Sequence, residues 1–154
     1  KARKKTNNKW FETQDAISYW DDFNKQKIIY PNMTKYMPFV FDESMYLTNQ
    51  KCFIITGCYT AFLTAFFNSS LFKFCFRDSF PDLHGGAREM SKIFVDKIPV
   101  VSVSSLEEER FRSLVNDIQN DYTKEKAIHI DNLIFDMYNL STEEREIIGF
   151  IEIQ

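Results

Sequence analysis

Glycine and proline are scarce in this chain, at four residues each among 154. Long flexible linkers are rich in both, so the expectation is one folded domain with short connections. Cysteine is also rare, and Cys52, Cys58 and Cys75 are odd in number. Their spacing fits neither paired zinc ligands nor a disulfide framework, so reduced thiols buried as small hydrophobes in an intracellular protein are expected. No apolar stretch runs unbroken for the length of a membrane span. The richest, Cys58 to Phe76, is interrupted by Asn68, Ser69, Ser70 and Lys73, and reads as a pair of buried helices. The N-terminal charges Lys1, Arg3, Lys4 and Lys5 lead into Thr6, Asn7 and Asn8, which predicts no secretory signal and a cytoplasmic protein with no membrane partner.

Aromatic residues are plentiful instead: sixteen Phe and seven Tyr within a 44% apolar, 27% charged composition, enough for a substantial core. The net charge of −3 hides an uneven distribution. Residues 1–104 hold fourteen Lys or Arg against ten Asp or Glu, a balance of +4, whereas residues 105–154 hold five against twelve, a balance of −7. The acidity belongs to the tail.

Lys27-Ile28-Ile29-Tyr30 is short, β-branched and bounded by Pro31-Asn32, and reads as a strand. Phe39-Val40-Phe41 and Cys52 to Thr56 follow as two more, with turn chemistry at Asp42-Glu43-Ser44 and Thr48-Asn49-Gln50, so an antiparallel meander is expected. Tyr59, Phe62, Leu63, Phe66 and Phe67 then recur at helical spacing, and Leu71, Phe72, Cys75 and Phe76 resume it. Apolar residues on most of both faces predict that these helices are central to the core, not a base-stacking platform. Asp78 to Arg88 reads as a loop, and Ile98-Pro99-Val100-Val101 as extended chain. Ser104 with Glu107, or alternatively Ser105 with Glu108, forms a capping box, as do Ser141 and Glu144. Leu106, Leu114, Val115, Ile118 and Tyr122 mark one amphipathic helix, Ile130, Leu133, Ile134 and Met137 a second, and Ile147, Ile148 and Ile151 a third. The fold expected is α+β: a small, mostly antiparallel sheet packed on two apolar helices, with a helical C-terminal extension.

The segments WFETQDAISYW, KIIYPNMTKYMPFVFDESMYLTNQKCFIIT, LTAFFNSSLFKFCF, KIFVDKIPV and IDNLIFDMYNLSTEE, in that order, resemble the TaqI-like C-terminal specificity domain, from Trp10 to about Ile148. In that family the domain follows an adenine-N6 methyltransferase in restriction-modification enzymes that combine modification and cleavage. The resemblance implies recognition of a short double-stranded DNA sequence while the methyltransferase flips the target adenine. It also implies S-adenosylmethionine and Mg for the parent enzyme, with no cofactor in this fragment. Pro31, Pro38, Pro81 and Pro99 are isolated, so the Asn-Pro-Pro-aromatic methyltransferase motif is absent, and no Gly-x-Gly loop is present to hold S-adenosylmethionine. No residue is therefore assigned a catalytic role.

DNA binding needs cations for phosphates, and amides, hydroxyls, guanidinium groups or aromatic faces for base edges. Residues 25–36 interleave these types. Lys27, Tyr30, Asn32, Thr34 and Lys35 are the candidates there, with Asn32, Thr34 and Lys35 preferred. The same pattern also suits a sheet edge kept soluble by lysines. Residues 77–88 are the second candidate, a loop in which Gly85-Gly86 permits positive φ and close backbone approach to a phosphate, and in which Arg77, His84 and Arg88 carry the contacts. A plain turn with solvated charges is the competing reading. His84 has no partner constellation for metal binding or base catalysis, since the other histidine, His129, lies in the helical tail. Pro81-Asp82, Glu89 and Lys92 approach a metal-dependent nuclease pattern, but Glu-x-x-Lys on a strand sends the two side chains to opposite faces.

The expected organisation is a basic start at 1–9, where disorder is expected if anywhere, a target-recognition core at 10–104 and an acidic helical extension at 105–154. Function is expected to be sequence-specific duplex binding that positions a catalytic methyltransferase and endonuclease part of the same polypeptide. The alternative is a non-catalytic protein-protein interaction module.

Overall fold

The computed structural model describes residues 7–9, 11–12 and 18–151. Residues 1–6, 10, 13–17 and 152–154, which include most of the basic start and much of the WFETQDAISYW segment, lie outside the described residues. The architecture is α+β, as the patterning predicts.

A 3-10 turn at Trp20–Asn24 leads into strand β1 (Lys27–Pro31). β1 is the middle of a three-stranded antiparallel sheet, flanked by β3 (Val40–Asp42) and β4 (Cys52–Thr56). A meander would have put β3 in the centre. The central place goes to the strand that can be covered on both faces: Ile28 and Tyr30 are buried on one and Lys27 on the other, whereas Val40 of β3 is half exposed. The outer edge of β3 is closed by side chains. Asn68 pairs with the backbone of Phe39 (N–H to Oδ1 3.2 Å, Nδ2–H to O 2.7 Å), and Gln119 does the same for Phe41 (2.7 and 3.0 Å). Amide caps of this kind leave no open row of donors for another strand.

The second sheet carries no periodic signal in the sequence, because its strands are only two or three residues long: β2 (Met33–Thr34), β5 (Asp82–Leu83) and β6 (Ala87–Glu89), in the order β2-β6-β5. Asn32 is the joint between the sheets. Its N–H donates to the Lys51 carbonyl and its own carbonyl accepts from Met90 N–H, both at 2.9 Å.

Helices α1 (Thr60–Asn68) and α2 (Ser70–Phe76) form around the expected break. Ser69 ends one helix and caps the next, its hydroxyl accepting from Phe72 N–H. Phe62, Phe66, Phe67, Leu71 and Phe72 are all buried, each contributing roughly 1.5–3 kcal/mol of transfer free energy. A single turn, α3 (Lys92–Val95), precedes irregular chain through Val103, so residues 98–101 do not pair as a strand.

The acidic tail is α4 (Ser105–Asn120), α5 (Lys124–Met137) and α6 (Thr142–Ile148). Ser104 with Glu107 and Ser141 with Glu144 are the capping boxes that form; Glu108, of the alternative box, is used elsewhere. These helices share the core of the sheet and α1. Phe111 meets Phe62 edge-on at 5.2 Å, Tyr138 stacks on Phe66 at 5.5 Å, and Val115, Ile130, Ile134 and Phe135 are buried with them. Leu106 and Ile147, counted into the apolar stripes from spacing, face solvent at 82 and 70% exposure. The cysteines differ from expectation as well: all three are free, but Cys58 and Cys75 are exposed and Cys52 is half-buried. Among the described residues no helix is long and apolar enough to cross a membrane.

Candidate nucleic-acid interface

The pairing of β2 with β6 sets Thr34 against Arg88 and Met33 against Glu89. Two segments more than fifty residues apart, each a separate candidate in the sequence, thereby become one surface. At its centre is a groove of about 650 Å³. Lys35, Lys73 and Arg77 line it together with the Gly85-Gly86 turn and Ile151, and Asp78 is the single carboxylate on its wall among the described residues. Tyr36 and Phe74, both half exposed, add aromatic surface. No residue from the acidic faces of α4, α5 or α6 lines it among the described residues.

The individual candidates divide sharply. Lys35, Arg77 and His84 are exposed. The Lys35 and Arg77 side chains make no ion pair with any described residue and are free to meet an anion. Lys27 is a correction: it is 0% exposed, its Nζ lies 2.5 Å from Asp42 and 2.9 Å from the Phe23 carbonyl, and it cannot reach a phosphate. Neither a DNA contact nor a solvated sheet edge results, because β1 is central and its register sets Lys27 directly opposite Asp42. Tyr30 is corrected in the same way. Its ring is buried between Phe39 and Phe53, and burial, with a smaller effect from the Asp96 charge, pushes its hydroxyl up to about 12.

Asn32 and Thr34 lie at the surface but are already engaged. The Asn32 amide points to the Gln50 carbonyl at 3.5 Å, and the Thr34 hydroxyl accepts from the Tyr36 and Met37 amides at 3.0 and 3.3 Å. Together they shape the turn that presents Lys35. Arg88 is a clasp: it pairs with Asp78 at 2.8 Å and donates to the Phe80 carbonyl at 3.2 Å, with its side chain 16% exposed. Holding Asp78 also lowers the negative charge felt in the groove. Gly85 and Gly86 adopt φ of +82° and +79°, while a Cβ at either would meet nothing within 4 Å, so the turn needs glycine for its backbone angles alone. Gly86 N–H donates to the Leu83 carbonyl.

Lys73 was missed among the candidates because it sits inside an apolar helical run. A lysine in such a run was itself the available signal. The residue is 8% exposed, and it faces both the groove and an apolar cavity of about 200 Å³ between α1, α4 and α5. Burial pushes its ammonium below the ordinary lysine value, opposed by the Asp131 charge. Asp82, Glu89 and Lys92 do not converge: Asp82 lies opposite Arg88, and Lys92 pairs with Asp96 on its own turn. Among the described residues no group of three or more His, Cys, Asp or Glu is placed to hold a metal ion.

The chain is thus a small α+β domain with a cationic groove shaped by two turns, and no described residue of its acidic helices lines that groove. Residues 1–100 match the family model of the TaqI-like C-terminal specificity domain, and the chain belongs to that family. The match ends before α4, so the IDNLIFDMYNLSTEE segment lies outside it. A search of curated proteins finds no match to the chain.

Proposed function

We propose that this domain binds double-stranded DNA and reads a short target sequence, presenting it to the adenine-N6 methyltransferase and endonuclease parts of a restriction-modification polypeptide. The observation that carries the reading is the junction of β2 with β6, which brings Lys35 and Arg77, neither in an ion pair with a described residue, to one groove that no described residue of α4, α5 or α6 lines. Phosphate contacts of that kind set register, and the amides and hydroxyls around them would then read base edges. Membership of a specificity-domain family supports the same conclusion. Few phosphates are neutralised by so small a cationic set, so binding by this chain alone is weak and strongly dependent on salt.

The experiment is a fluorescence-anisotropy titration of mixed-sequence duplexes across a salt series, with Lys35→Ala and Arg77→Ala alongside. Loss of affinity in both variants, with a shallower dependence on salt, is the expected result. A wild-type chain that ignores duplexes at low salt removes the proposal. The alternative, a protein-interaction module, draws on the consecutive exposed residues Met45, Tyr46 and Leu47. Under that reading Met45→Ser with Leu47→Ser abolishes capture of the catalytic module and leaves duplex binding untouched.

A further inference from the structure

We infer that Lys73 is a phosphate anchor, a largely buried lysine on the wall of the groove whose ammonium joins Lys35 and Arg77 in holding a phosphate group. The inference rests on the duplex-binding reading and deepens it by naming the atom on which the sugar-phosphate backbone is seated.

Lys73 and Arg77 are one helical turn apart, so both side chains project from the same face of α2 and its C-terminal cap. Lys35 reaches the same groove from the turn after β2. The three cations differ in one respect. Lys35 and Arg77 are solvated, whereas Lys73 is more than nine-tenths buried and its ammonium has neither a hydrogen bond nor an ion pair with a described residue. A largely buried side chain whose charge has no paired acceptor is costly, and folded chains normally supply a partner. Asp131 acts on Lys73 through its charge, without a hydrogen bond or ion pair to it, and its oxygens accept from the Ser70 amide at 2.8 Å and the Ser70 hydroxyl at 2.5 Å. The Lys73 ammonium is therefore available to an external anion that enters the groove.

The groove indicates which anion. It is open, with half-exposed Tyr36 and Phe74 beside the cations, a mixture suited to a nucleotide backbone more than to an isolated carboxylate. Its own carboxylate, Asp78, is neutralised by Arg88. The partner is thus a phosphate group, drawn either from a duplex or from free phosphate, and the test separates the two.

Lys73→Met keeps the length of the side chain and removes the charge. In duplex titrations over a salt series with the full chain, the variant is expected to bind about tenfold more weakly at low salt and to lose about 0.9 from the slope of log affinity against log salt, the signature of one phosphate contact. Its melting temperature without DNA should equal or exceed that of the wild type, because an unpaired buried charge has been removed. Wild-type affinity and slope in Lys73→Met, with Lys35→Ala still impaired, overturn the anchor and leave duplex recognition standing. If the wild-type chain binds no duplex, the reading beneath fails separately, and inorganic phosphate titrated onto chain carrying 15N-labelled lysine decides the site. A saturable shift of the Lys73 Nζ resonance keeps a free-phosphate site, and no shift removes it. The same resonance, followed during duplex addition, gives the answer if Lys73→Met does not fold.

Discussion

Lys27 Nζ lies 2.5 Å from Asp42 inside the first sheet, with both side chains closed to solvent. Asp42 in turn accepts the amides of Ser44 and Tyr46 at 2.8 and 3.0 Å, and Lys27 holds the Phe23 carbonyl. One pair thus ties the 3-10 turn, β1 and the loop after β3. Removing a single partner leaves the other charged and buried, so Asp42→Ala should lose about 3–5 kcal/mol in urea unfolding. The double replacement Lys27→Met with Asp42→Ala should recover part of that loss. Strict additivity of the two single changes would deny the coupling.

Helix α1 begins at Tyr59, a left-handed residue with φ of +60° and no capping side chain. Its buried first-turn amides are satisfied from α4: Glu108 accepts from Ala61 and Phe62 at 3.0 and 2.9 Å. A carboxylate at the positive end of a helix is favourable as well as hydrogen-bonded. Glu108→Ala should therefore cost about 2–3 kcal/mol, and Glu108→Gln about half as much, because one acceptor oxygen remains. Equal stability of Glu108→Ala and wild type in thermal unfolding would contradict the assignment.

Much of this packing was legible and much was not, for reasons tied to particular residues. The strands at 27–31, 40–42 and 52–56, the helix break at Asn68-Ser69-Ser70 and both capping boxes follow from local rules that act within a few residues. The order of the strands does not, since it depends on which strand is covered on both faces. Lys27 illustrates the consequence for the site: its partner Asp42 is fifteen positions away, and alternation alone gives no hint of it. The second sheet depends on backbone pairing of Met33–Thr34 with Ala87–Glu89, where no side-chain period exists to be read. Of the eight candidates, Lys35, Arg77 and His84 are exposed and only the first two line the groove, whereas Arg88 holds the loop and Lys73 was hidden in an apolar run.

Asp131 links stability to acidity. Burial raises its carboxyl above the usual 3.8, against the lowering effects of the Ser70 hydrogen bonds and the Lys73 charge. The folded state therefore binds this proton more tightly than the unfolded chain. The resulting stabilisation is complete below 3.8 and is lost as pH rises through the folded value. Asp131→Asn removes a titrating group and should flatten that descent in melting temperature measured from acid to neutral pH. A variant with the slope of the wild type would place the titration elsewhere.

Arg88 and Arg77 offer a last separation, between a residue that builds the groove and one that serves it. The Arg88 guanidinium joins the Asp78 side chain and the Phe80 carbonyl across the base of the β5–β6 hairpin, and because Asp78 is largely exposed the pair itself is modest. Arg88→Ala should cost about 1–2 kcal/mol and speed amide exchange through residues 78–90, with duplex affinity falling as a consequence of a loosened turn. Arg77→Ala should leave exchange in those residues unchanged and still weaken duplex binding, since its side chain makes no hydrogen bond or ion pair with a described residue. If Arg77→Ala instead loosened the hairpin, its effect on DNA would be structural, and the contact surface would have to be rebuilt around Lys35.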